Sequence, residues 1–437
     1  MAKLAVIADD LTGANDTAVQ FSKHDISSCV QIEFEPASGC DNAVDVVVID
    51  TNSRDSSKEE AYGRVKAVCE FLRQESVEVV YKKIDSTLRG NLGAEISAAV
   101  DVLQPELVVI APAFPRNHRS TVGGYHLLHN TPIELTEISR APKSPVTESR
   151  IIELLKQQAE VEIALVPLHA VLAGVEAVKQ EISACLERGE RWVVFDATRD
   201  EHLQTIAQAA KAYKNVLWVG SAGLAEQLPA LYQWSGRPQE ARQLRNGPVL
   251  VVAGSVSKTT QKQVDRLLQE KKVCLVKMKV PALLDNGAQE KKRCLQAVQA
   301  CLREGGEALL TSAVCDADVV EAVAAGACHG LSGFEVSEKT AAALGEIAAS
   351  TADASLAGMI LTGGDTAIHV CRSLGVRAIE IIEEVAVGIP LGRLIGGRCP
   401  GVPVITKAGA FGEDDSFLVA LRALRKDASH TTIGAAD

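Results

Sequence analysis

The sequence predicts an α/β protein of two domains, each a mostly parallel sheet flanked by helices, with the active site in the cleft between them. Three observations indicate this class. The 437 residues exceed the usual size of one hydrophobic core. Short, continuously apolar runs alternate with helical patterns in both halves, which is typical of buried parallel strands. A polar, turn-rich stretch interrupts this alternation once, at residues 236–248.

The same patterns predict the individual elements. In the first domain, residues 1–235, we expect strands at Leu4–Ile7, Val44–Ile49, Val77–Tyr81, Leu107–Ile110, Ile163–Val166, Trp192–Phe195 and Val216–Val219, and helices at Ala14–Lys23, Lys58–Gln74, Leu92–Leu103, Gly174–Glu187 and Glu201–Tyr213. After the linker, residues 236–248, the second domain comprises residues 249–437. Its expected strands are Val249–Ala253, Val273–Met278, Ala308–Thr311, Met359–Leu361 and Val402–Ile405, and its helices Thr260–Glu270, Lys291–Arg303 and Lys339–Ser350.

Composition excludes several classes of function. The formal net charge of -11 argues against a nucleic-acid binder, although a local cluster of cations can still bind a small anion. The 11 cysteines are scattered, with no C-x-x-C spacing, which favours reduced thiols in a cytoplasmic protein. No apolar run is long enough to span a membrane, so we expect no membrane partner. The oligomeric state is left open, a homodimer included.

The first candidate site is the turn after the first predicted strand. Asp9 and Asp10 end the apolar run Leu4–Ile7, and Thr12 and Gly13 lead into a helix. Buried unpaired carboxylates are costly, so we expect neither to be a core residue. Ligands of open parallel sheets bind at the carboxyl ends of strands, which favours a functional role. The alternative is a helix cap formed by Asp10 or Thr12.

The second candidate site follows the strand Val77–Tyr81. Lys82, Lys83 and Arg89 place three cations around Asp85 within residues 81–91. Such a group of cations suits a carboxylate or phosphate ligand and would hold Asp85 ionised. The alternative is a solvated charged loop. The mixed charge and the position at a strand end favour a functional site.

Two further strand ends carry polar residues. Arg54 offers a guanidinium to an anion, whereas its neighbours Asn52 and Ser53 can simply shape the turn. His126 and His129 lie three residues apart, but no third ligand is signalled, which favours ordinary packed or surface histidines. Metal ligands therefore stay unassigned.

The second half has glycine- and hydroxyl-rich turns instead. Ser255 lies in a strand-to-helix turn that resembles a phosphate loop but lacks the glycine before Lys258, so it is not a Walker A sequence. Further turns follow two later strands and contain Gly363, Gly364, Asp365, Thr366 and Gly409. Such glycines let a ligand approach the backbone, and three such turns favour a nucleotide.

The two halves together favour phosphoryl transfer from a nucleotide to a small anionic polyol, because this reaction needs chiefly positioning and charge neutralisation. Two alternatives belong to other classes. A sensor that binds a sugar acid without catalysis would leave the glycine turns unexplained. A nicotinamide-dependent oxidoreductase would need a G-x-G-x-x-G fingerprint with a following acid, which the sequence lacks.

Motifs at residues 7–13, 82–91, 145–149, 363–366 and 406–412 resemble those of the four-carbon acid sugar kinase family, in the family's order and over nearly the whole chain. The resemblance implies an N-terminal domain that binds the acid sugar and a C-terminal domain that binds ATP. It further implies ATP-dependent phosphorylation of a four-carbon acid sugar at its terminal hydroxyl. We infer Mg²⁺ because phosphoryl transfer from ATP usually needs it.

The resemblance also assigns residues to the two sites. Those assigned to the acid sugar are Asp10, Arg54, Lys82, Lys83, Ile84 and Asp85, to which the charge pattern adds Arg89. Those assigned to ATP are Ser255, Gly363, Gly364, Asp365, Thr366 and Gly409. The form Lys-Lys-Ile-Asp-Ser-Thr resembles the branch that phosphorylates D-threonate, with D-erythronate and 3-oxo-tetronate as alternatives. Our own reading of the residues leaves the catalytic base open between Asp85 and Asp10.

Overall fold

The computed structural model describes residues 2–34, 44–75, 77–141, 143–236, 245–270 and 272–425. The chain separates into two compact units, Met1–Gln239 and Glu240–Asp437. Each unit is a sheet covered by helices, which confirms the predicted α/β class. Most of the predicted linker, residues 237–244, lies outside the described residues.

The first unit contains a parallel sheet and a small antiparallel one. Its strands are β1 Leu4–Ala8, β2 Ser28–Gln31, β3 Val46–Asp50, β4 Val79–Lys83, β5 Leu107–Ala111, β6 Arg119–Val122, β7 Tyr125–Leu128, β8 Thr131–Pro132, β9 Ile163–Val166, β10 Trp192–Phe195 and β11 Val216–Gly220. The parallel sheet has the order β2-β3-β1-β4-β11-β5-β10-β9, and β6, β7 and β8 form the antiparallel sheet.

Helices cover the parallel sheet of the first unit. They are α1 Leu11–Ser22, α2 Lys58–Glu75, α3 Leu92–Leu103, α4 Ile151–Lys156, α5 Leu168–Leu172, α6 Val175–Glu187, α7 Asp200–Ala210, α8 Ala222–Ala225 and α9 Leu228–Tyr232. Ile7, Ile49, Ile96 and Val108 are fully or almost fully buried in one apolar cluster between strands and helices. Burial of each such side chain contributes about 1.5–3 kcal/mol to the stability of the folded state. The strand ends that carry the polar residues are therefore anchored in a well-packed core.

The second unit has a mixed sheet. Its strands are β12 Val249–Ala253, β13 Val273–Lys277, β14 Glu307–Thr311, β15 Gly358–Thr362, β16 Val376–Ala386, β17 Ile389–Gly396 and β18 Pro403–Lys407, in the order β13-β14-β12-β15-β18-β17-β16. Its helices are α10 Lys258–Leu267, α11 Val280–Arg303, α12 Asp316–Cys328, α13 Gly333–Thr351, α14 Gly364–Leu374 and α15 Ser416–Leu424. The strands β16 and β17 run antiparallel, and the rest of the sheet is mostly parallel.

The predicted strands are all present, with ends that shift by one or two residues. Several elements were not predicted. These are β2, the β6–β8 sheet and the hairpin β16–β17, which does not follow the strand–helix alternation. The helix predicted at Lys291–Arg303 begins earlier, at Val280, and includes a non-helical residue at Asn286. Within the described residues, no helix combines the length and the apolar character that crossing a membrane requires.

Candidate active site

The acid-sugar candidates lie at the carboxyl ends of three adjacent strands. The sheet order β3-β1-β4 places Arg54, after β3, and Lys83, at the end of β4, on either side of Asp9 and Asp10, which follow β1. Parallel strands bring their carboxyl ends to one edge of a sheet, so residues distant in the sequence meet here. The structure thus brings together Asp10, Arg54, Lys83 and Asp85, as the sequence led us to expect.

Arg54 is the centre of this cluster. Its guanidinium donates to Asp9 through Nε, at 2.8 Å from Oδ2, and through Nη2, at 3.0 Å from Oδ1. The two Nη groups also bind the two oxygens of Asp10, at 2.7 Å and 2.6 Å. Burial opposes the ionisation of Asp9, but Arg54, Lys82 and Lys83 outweigh it and lower the pKa of that carboxyl.

The expectation that neither aspartate would be a core residue is wrong for Asp9. Asp9 is only 3% exposed. The physical reason is the bidentate contact with Arg54, which compensates a charge that would be costly if buried alone. Asp10 also caps α1, because its Oδ1 accepts the backbone N–H of Gly13 at 2.9 Å. The cap and the charge cluster therefore coexist at this residue.

Asp85 lies in the loop after β4 and is bound mainly by Arg89. Arg89 donates from Nε to Oδ2 at 2.8 Å and from Nη2 to Oδ1 at 3.2 Å. The hydroxyl of Thr87 also donates to Oδ2, and Arg54 lies 3.6 Å from Oδ1. Burial opposes ionisation of this carboxyl, but Arg89, Arg54 and Lys83 hold its pKa well below the ordinary value. Asp85 is therefore a carboxylate at every physiological pH.

Lys83 supplies a cation without a protein acceptor. The residue is 2% exposed, and within the described ranges its ammonium forms no hydrogen bond with the protein. The ammonium faces Asp10 across Gly13, because a Cβ atom placed on Gly13 would lie 2.7 Å from Lys83 Nζ and 2.7 Å from Asp10 Oδ1. Because Lys83 Nζ is not among the buried atoms that lack a partner, it retains an accessible side from which a ligand can accept its N–H groups.

Lys82 and Ile84 lie differently from Lys83. The side chain of Lys82 is fully buried, and its ammonium contacts Glu95 of α3 at 2.7 Å. Its other N–H groups reach the carbonyls of Ile7 and Lys83, at 3.2 Å and 2.7 Å. The side chain of Ile84 packs in the apolar core, and its N–H donates to Gly220. The sequence analysis missed Glu95. An acidic residue in the first turn of a helix commonly serves only to complement the helix dipole, so its position in α3 gave no signal of this contact.

The antiparallel sheet supports the Asp85 loop from behind. His126 of β7 is fully buried, and its Nε2 lies 2.9 Å from the carbonyl of Ser86, while its Nδ1 lies 3.0 Å from the hydroxyl of Thr121. Burial lowers the pKa of His126 to about 4, so the ring is neutral and Nε2 carries the proton. The ring of His129 stacks on His118 instead. Within the described residues, no group of three or more potential ligands forms a metal site.

In the second unit the candidate nucleotide residues also converge. A Cβ atom on Gly409 would lie 2.0 Å from Ser255 Oγ, and one on Gly363 would lie 3.2 Å from the Ser255 nitrogen. Gly363 has a φ of 96°, which favours glycine, and directly precedes α14. Gly364, Asp365 and Thr366 form the first turn of that helix, whose free N–H groups suit a phosphate.

A buried lysine fixes the Gly409 turn. Lys407 donates to the carbonyls of Ala408, Gly409 and Phe411, at 2.9 Å, 3.3 Å and 3.0 Å. The Gly409 carbonyl also accepts the hydroxyls of Ser257, at 2.7 Å, and Thr260, at 3.0 Å. These contacts clamp the turn onto the start of α10. The neighbouring Thr362 hydroxyl is buried and has no hydrogen-bond partner among the described residues.

Comparisons with known proteins identify the family. Residues 4–228 match the model of a sugar-binding N-terminal domain, and residues 250–417 match that of a nucleotide-binding C-terminal domain. Full-length matches to curated kinases of four-carbon acid sugars accompany them. The chain belongs to the four-carbon acid sugar kinase family.

The curated relatives carry three kinase names. A D-erythronate kinase of Heliobacterium modesticaldum is 34% identical, over 95% of each chain. A D-threonate kinase of Salmonella typhimurium is 35% identical, over 96% of this chain and 97% of the relative. A 3-oxo-tetronate kinase of Pseudomonas savastanoi is 29% identical, over 96% and 97%. A solved structure from Salmonella typhimurium LT2, 25% identical, superposes with a TM-score of 0.81 and covers 97% of this chain and 100% of its own.

Proposed function

We propose that this protein is an ATP-dependent kinase that phosphorylates the terminal hydroxyl of a four-carbon acid sugar, with D-threonate, giving D-threonate 4-phosphate, as the first candidate. The observation that carries this proposal is Lys83. Its ammonium lacks a hydrogen-bond acceptor among the described residues and lies near the Asp10 carboxylate. A ligand with both a carboxylate and hydroxyls supplies an acceptor to Lys83 and a donor to Asp85.

Asp85 is the better of the two candidates for the catalytic base. Each oxygen of Asp10 already accepts two hydrogen bonds, from Arg54 and either Thr12 or Gly13. Asp85 Oδ1 accepts one bond, from Arg89 at 3.2 Å. A carboxylate oxygen has two lone pairs, so Asp85 Oδ1 can still accept a substrate hydroxyl among the described contacts.

The reaction then follows from the charges. The substrate hydroxyl oxygen attacks the γ-phosphorus of ATP, its proton passes to Asp85 Oδ1, and the bond from phosphorus to the β-phosphate oxygen breaks to release ADP. Since little covalent chemistry falls to the protein in phosphoryl transfer, positioning of the hydroxyl is the main task of Asp85. Lys83 offsets negative charge on the substrate carboxylate, and Arg89 offsets charge on the transferring group.

The second unit fits the polyphosphate of ATP. Gly363 and Gly409 pack closely against Ser255, where a side chain would collide with it, and the buried Thr362 hydroxyl lacks a partner among the described residues. We assign Ser255, Gly363, Gly364 and Gly409 to contacts with phosphate, since backbone N–H groups at a helix start bind anions. Mg²⁺ would supply charge neutralisation to the phosphates, and Asp365 and Thr366 would offer it oxygen ligands.

The choice of D-threonate rests on the residues 82–87. Their sequence Lys-Lys-Ile-Asp-Ser-Thr resembles the D-threonate branch, while the 34% and 35% identities to relatives with different names do not separate the substrates. D-Erythronate and 3-oxo-tetronate are the alternatives. The reaction consumes ATP, so we place it in the cytoplasm.

The test is release of ADP from Mg-ATP with D-threonate, L-threonate, D-erythronate and 3-oxo-tetronate, each with and without enzyme. We expect D-threonate to give the highest kcat/KM. Higher turnover of another acid sugar would change the assigned substrate but leave the proposed kinase activity in place. Binding of an acid sugar without ATP turnover would instead favour a sensor. A sensor would leave the structure of the Gly409 turn without a function.

A further inference from the structure

A buried ion pair lies directly behind the acid-sugar cluster. Lys82 is fully buried and Glu95 is 1% exposed, and their side chains meet at 2.7 Å. The other oxygen of Glu95 accepts the hydroxyl of Ser53 at 2.6 Å. That hydroxyl lies 2.7 Å from the hydroxyl of Thr51. Every polar atom of this pair is bound by protein, so neither residue is available to a ligand.

The contacts of the pair reach all three strand ends of the site. Lys82 binds the carbonyl of Ile7, two residues before Asp9, and the carbonyl of Lys83, two residues before Asp85. Through Ser53, Glu95 holds the residue next to Arg54. One ion pair therefore connects the backbones that carry the carboxylates and cations of the site.

Packing alone does not require charges at this place. Ile7, which pairs with Lys82 in the sheet, belongs to the apolar core, as do Leu92 and Ile96, which lie close to Glu95 along α3. Burying an ion pair costs desolvation energy, and apolar residues of similar volume often stabilise a protein equally well or better. Burial raises the pKa of Glu95, and the charge of Lys82 opposes that shift. Each charge therefore offsets the desolvation cost of the other, and removal of one partner alone leaves an uncompensated charge.

We propose that Glu95 and Lys82 are positioning residues, which hold the ends of β1, β3 and β4 in the register that the acid-sugar site needs. The kinetic part of this inference rests on the proposed kinase activity. This positioning role means that Lys82 supports the site and does not contact the substrate. Lys83 alone of the two lysines then meets the ligand.

The test is the double variant Lys82→Met/Glu95→Leu, which removes both charges and fills the space with apolar atoms. We expect the apparent Tm to fall only slightly, because no unpaired charge remains and the cost is the lost bonds to the carbonyls of Ile7 and Lys83 and to the Ser53 hydroxyl. We expect kcat/KM for the acid sugar to fall about 100-fold, as misplaced reacting groups do, with KM for ATP unchanged. Glu176→Gln, which breaks the surface pair with Lys179, is the matched control.

If the double variant keeps the kcat/KM of the wild type, the proposal is overturned, since the pair would then serve stability only. If the double variant fails to fold, Ser53→Ala provides the test, with a small fall in Tm, because one oxygen of Glu95 loses its donor, and about tenfold lower kcat/KM expected. The ¹⁵Nε–H resonance of Arg54, assigned by its loss in Arg54→Lys, needs no substrate. It should shift in the double variant and stay in Glu176→Gln. An unshifted resonance rejects the positioning role even if the wild type turns over no acid sugar, which would reject the kinase proposal separately.

Discussion

Arg54 and Asp10 form two parallel hydrogen bonds, Nη1 to Oδ2 at 2.7 Å and Nη2 to Oδ1 at 2.6 Å. The same guanidinium binds Asp9 on its other edge. Only a planar group with several fixed donors can hold two neighbouring carboxylates in this way. Arg54 therefore connects the end of β3 to the end of β1 and sets the direction of Asp10.

The first prediction follows from this geometry. Arg54→Lys keeps the charge but loses the fork, so we expect kcat/KM for the acid sugar to fall about 100-fold, or about 2.7 kcal/mol of transition-state stabilisation. Steady-state kinetics measures the effect. Arg116→Lys is the control, because Arg116 is half-exposed and pairs with Asp200 and Glu226. A similar loss in both variants would contradict a special role for the Arg54 fork.

The second prediction concerns Lys83. Lys83→Met removes the ammonium that lacks a protein acceptor among the described residues. We expect KM for the acid sugar to rise at least tenfold while kcat changes little, because the lost contact is with bound substrate. The apparent Tm should fall slightly, since Lys83 offsets the charges of Asp9 and Asp85. Lys66→Met, on the exposed face of α2, is the control, and a drop in Tm with unchanged KM would make Lys83 structural.

The two adjacent lysines show what the sequence could and could not predict. Alternation along a strand sends neighbouring side chains to opposite faces of a sheet, so Lys82 and Lys83 could not both face one ligand. The register places Lys82 beside Ile7, whose side chain is in the core. The strand and its position were predictable from the apolar pattern. Which lysine faces the ligand depends on Glu95 and α3, and no local pattern reveals that contact.

The unpredicted elements have another explanation. The hairpin β16–β17 contains Glu383 and Glu384 in a long partly buried strand, so its hydrophobic pattern is weak. The β6–β8 sheet spans residues 119–132, where the sequence analysis assigned no strand. Both are local hairpins, with Val122 paired to Tyr125 and Ala386 paired to Ile389, so the two-residue turns, Gly123-Gly124 in the first, were a signal that the sequence analysis missed.

The third prediction separates the two candidates for the base. Asp85→Asn should lower kcat about 1,000-fold and leave ATP binding intact, which single-turnover and ATP-titration experiments measure. Asp10→Asn should keep more activity, because Asp10 mainly caps α1 and binds Arg54. If Asp10→Asn proves the more damaging change, Asp10 is the base.

The pKa of Asp85 adds a pH test. Because its cations lower this pKa well below 3.8, Asp85 stays ionised in both folded and unfolded chains above about pH 5. The stability that ionised Asp85 contributes is present above its unfolded pKa and is lost as the pH falls through the folded one. We therefore expect no acid limb from Asp85 in kcat/KM between pH 5 and 8. A limb that disappears in Asp85→Asn would contradict this assignment.

The fourth prediction addresses the nucleotide turn. A Cβ atom at Gly409 would lie 2.0 Å from Ser255 Oγ, so Gly409→Ala must displace the serine or the turn. We expect KM for ATP to rise about tenfold and KM for the acid sugar to change less than twofold. Gly333→Ala in α13 is the control, since nothing lies within 4 Å of its added methyl group. Equal effects on both KM values would contradict the assignment of the turn to ATP.

The fifth prediction concerns the buried ammonium of Lys407. Burial lowers its pKa to about 7, whereas the unfolded lysine titrates near 10.5. Between these values the unfolded chain binds more protons than the folded one, so this group makes stability rise with pH from about 7 to 10.5. We therefore expect the Tm of the wild type, relative to Lys407→Met, to increase across this range. Thermal unfolding from pH 6 to 10 measures the difference.

The same titration should reach the nucleotide turn. A neutral amine has two N–H groups, so above pH 7 one of the three carbonyls of Ala408, Gly409 and Phe411 loses its donor from Lys407. KM for ATP should then rise with pH in the wild type and stay flat in Lys407→Met. Lys262→Met, an exposed lysine of α10, should leave both pH profiles like those of the wild type. A Tm difference independent of pH would mean that Lys407 keeps its proton, held by the three carbonyls despite its burial.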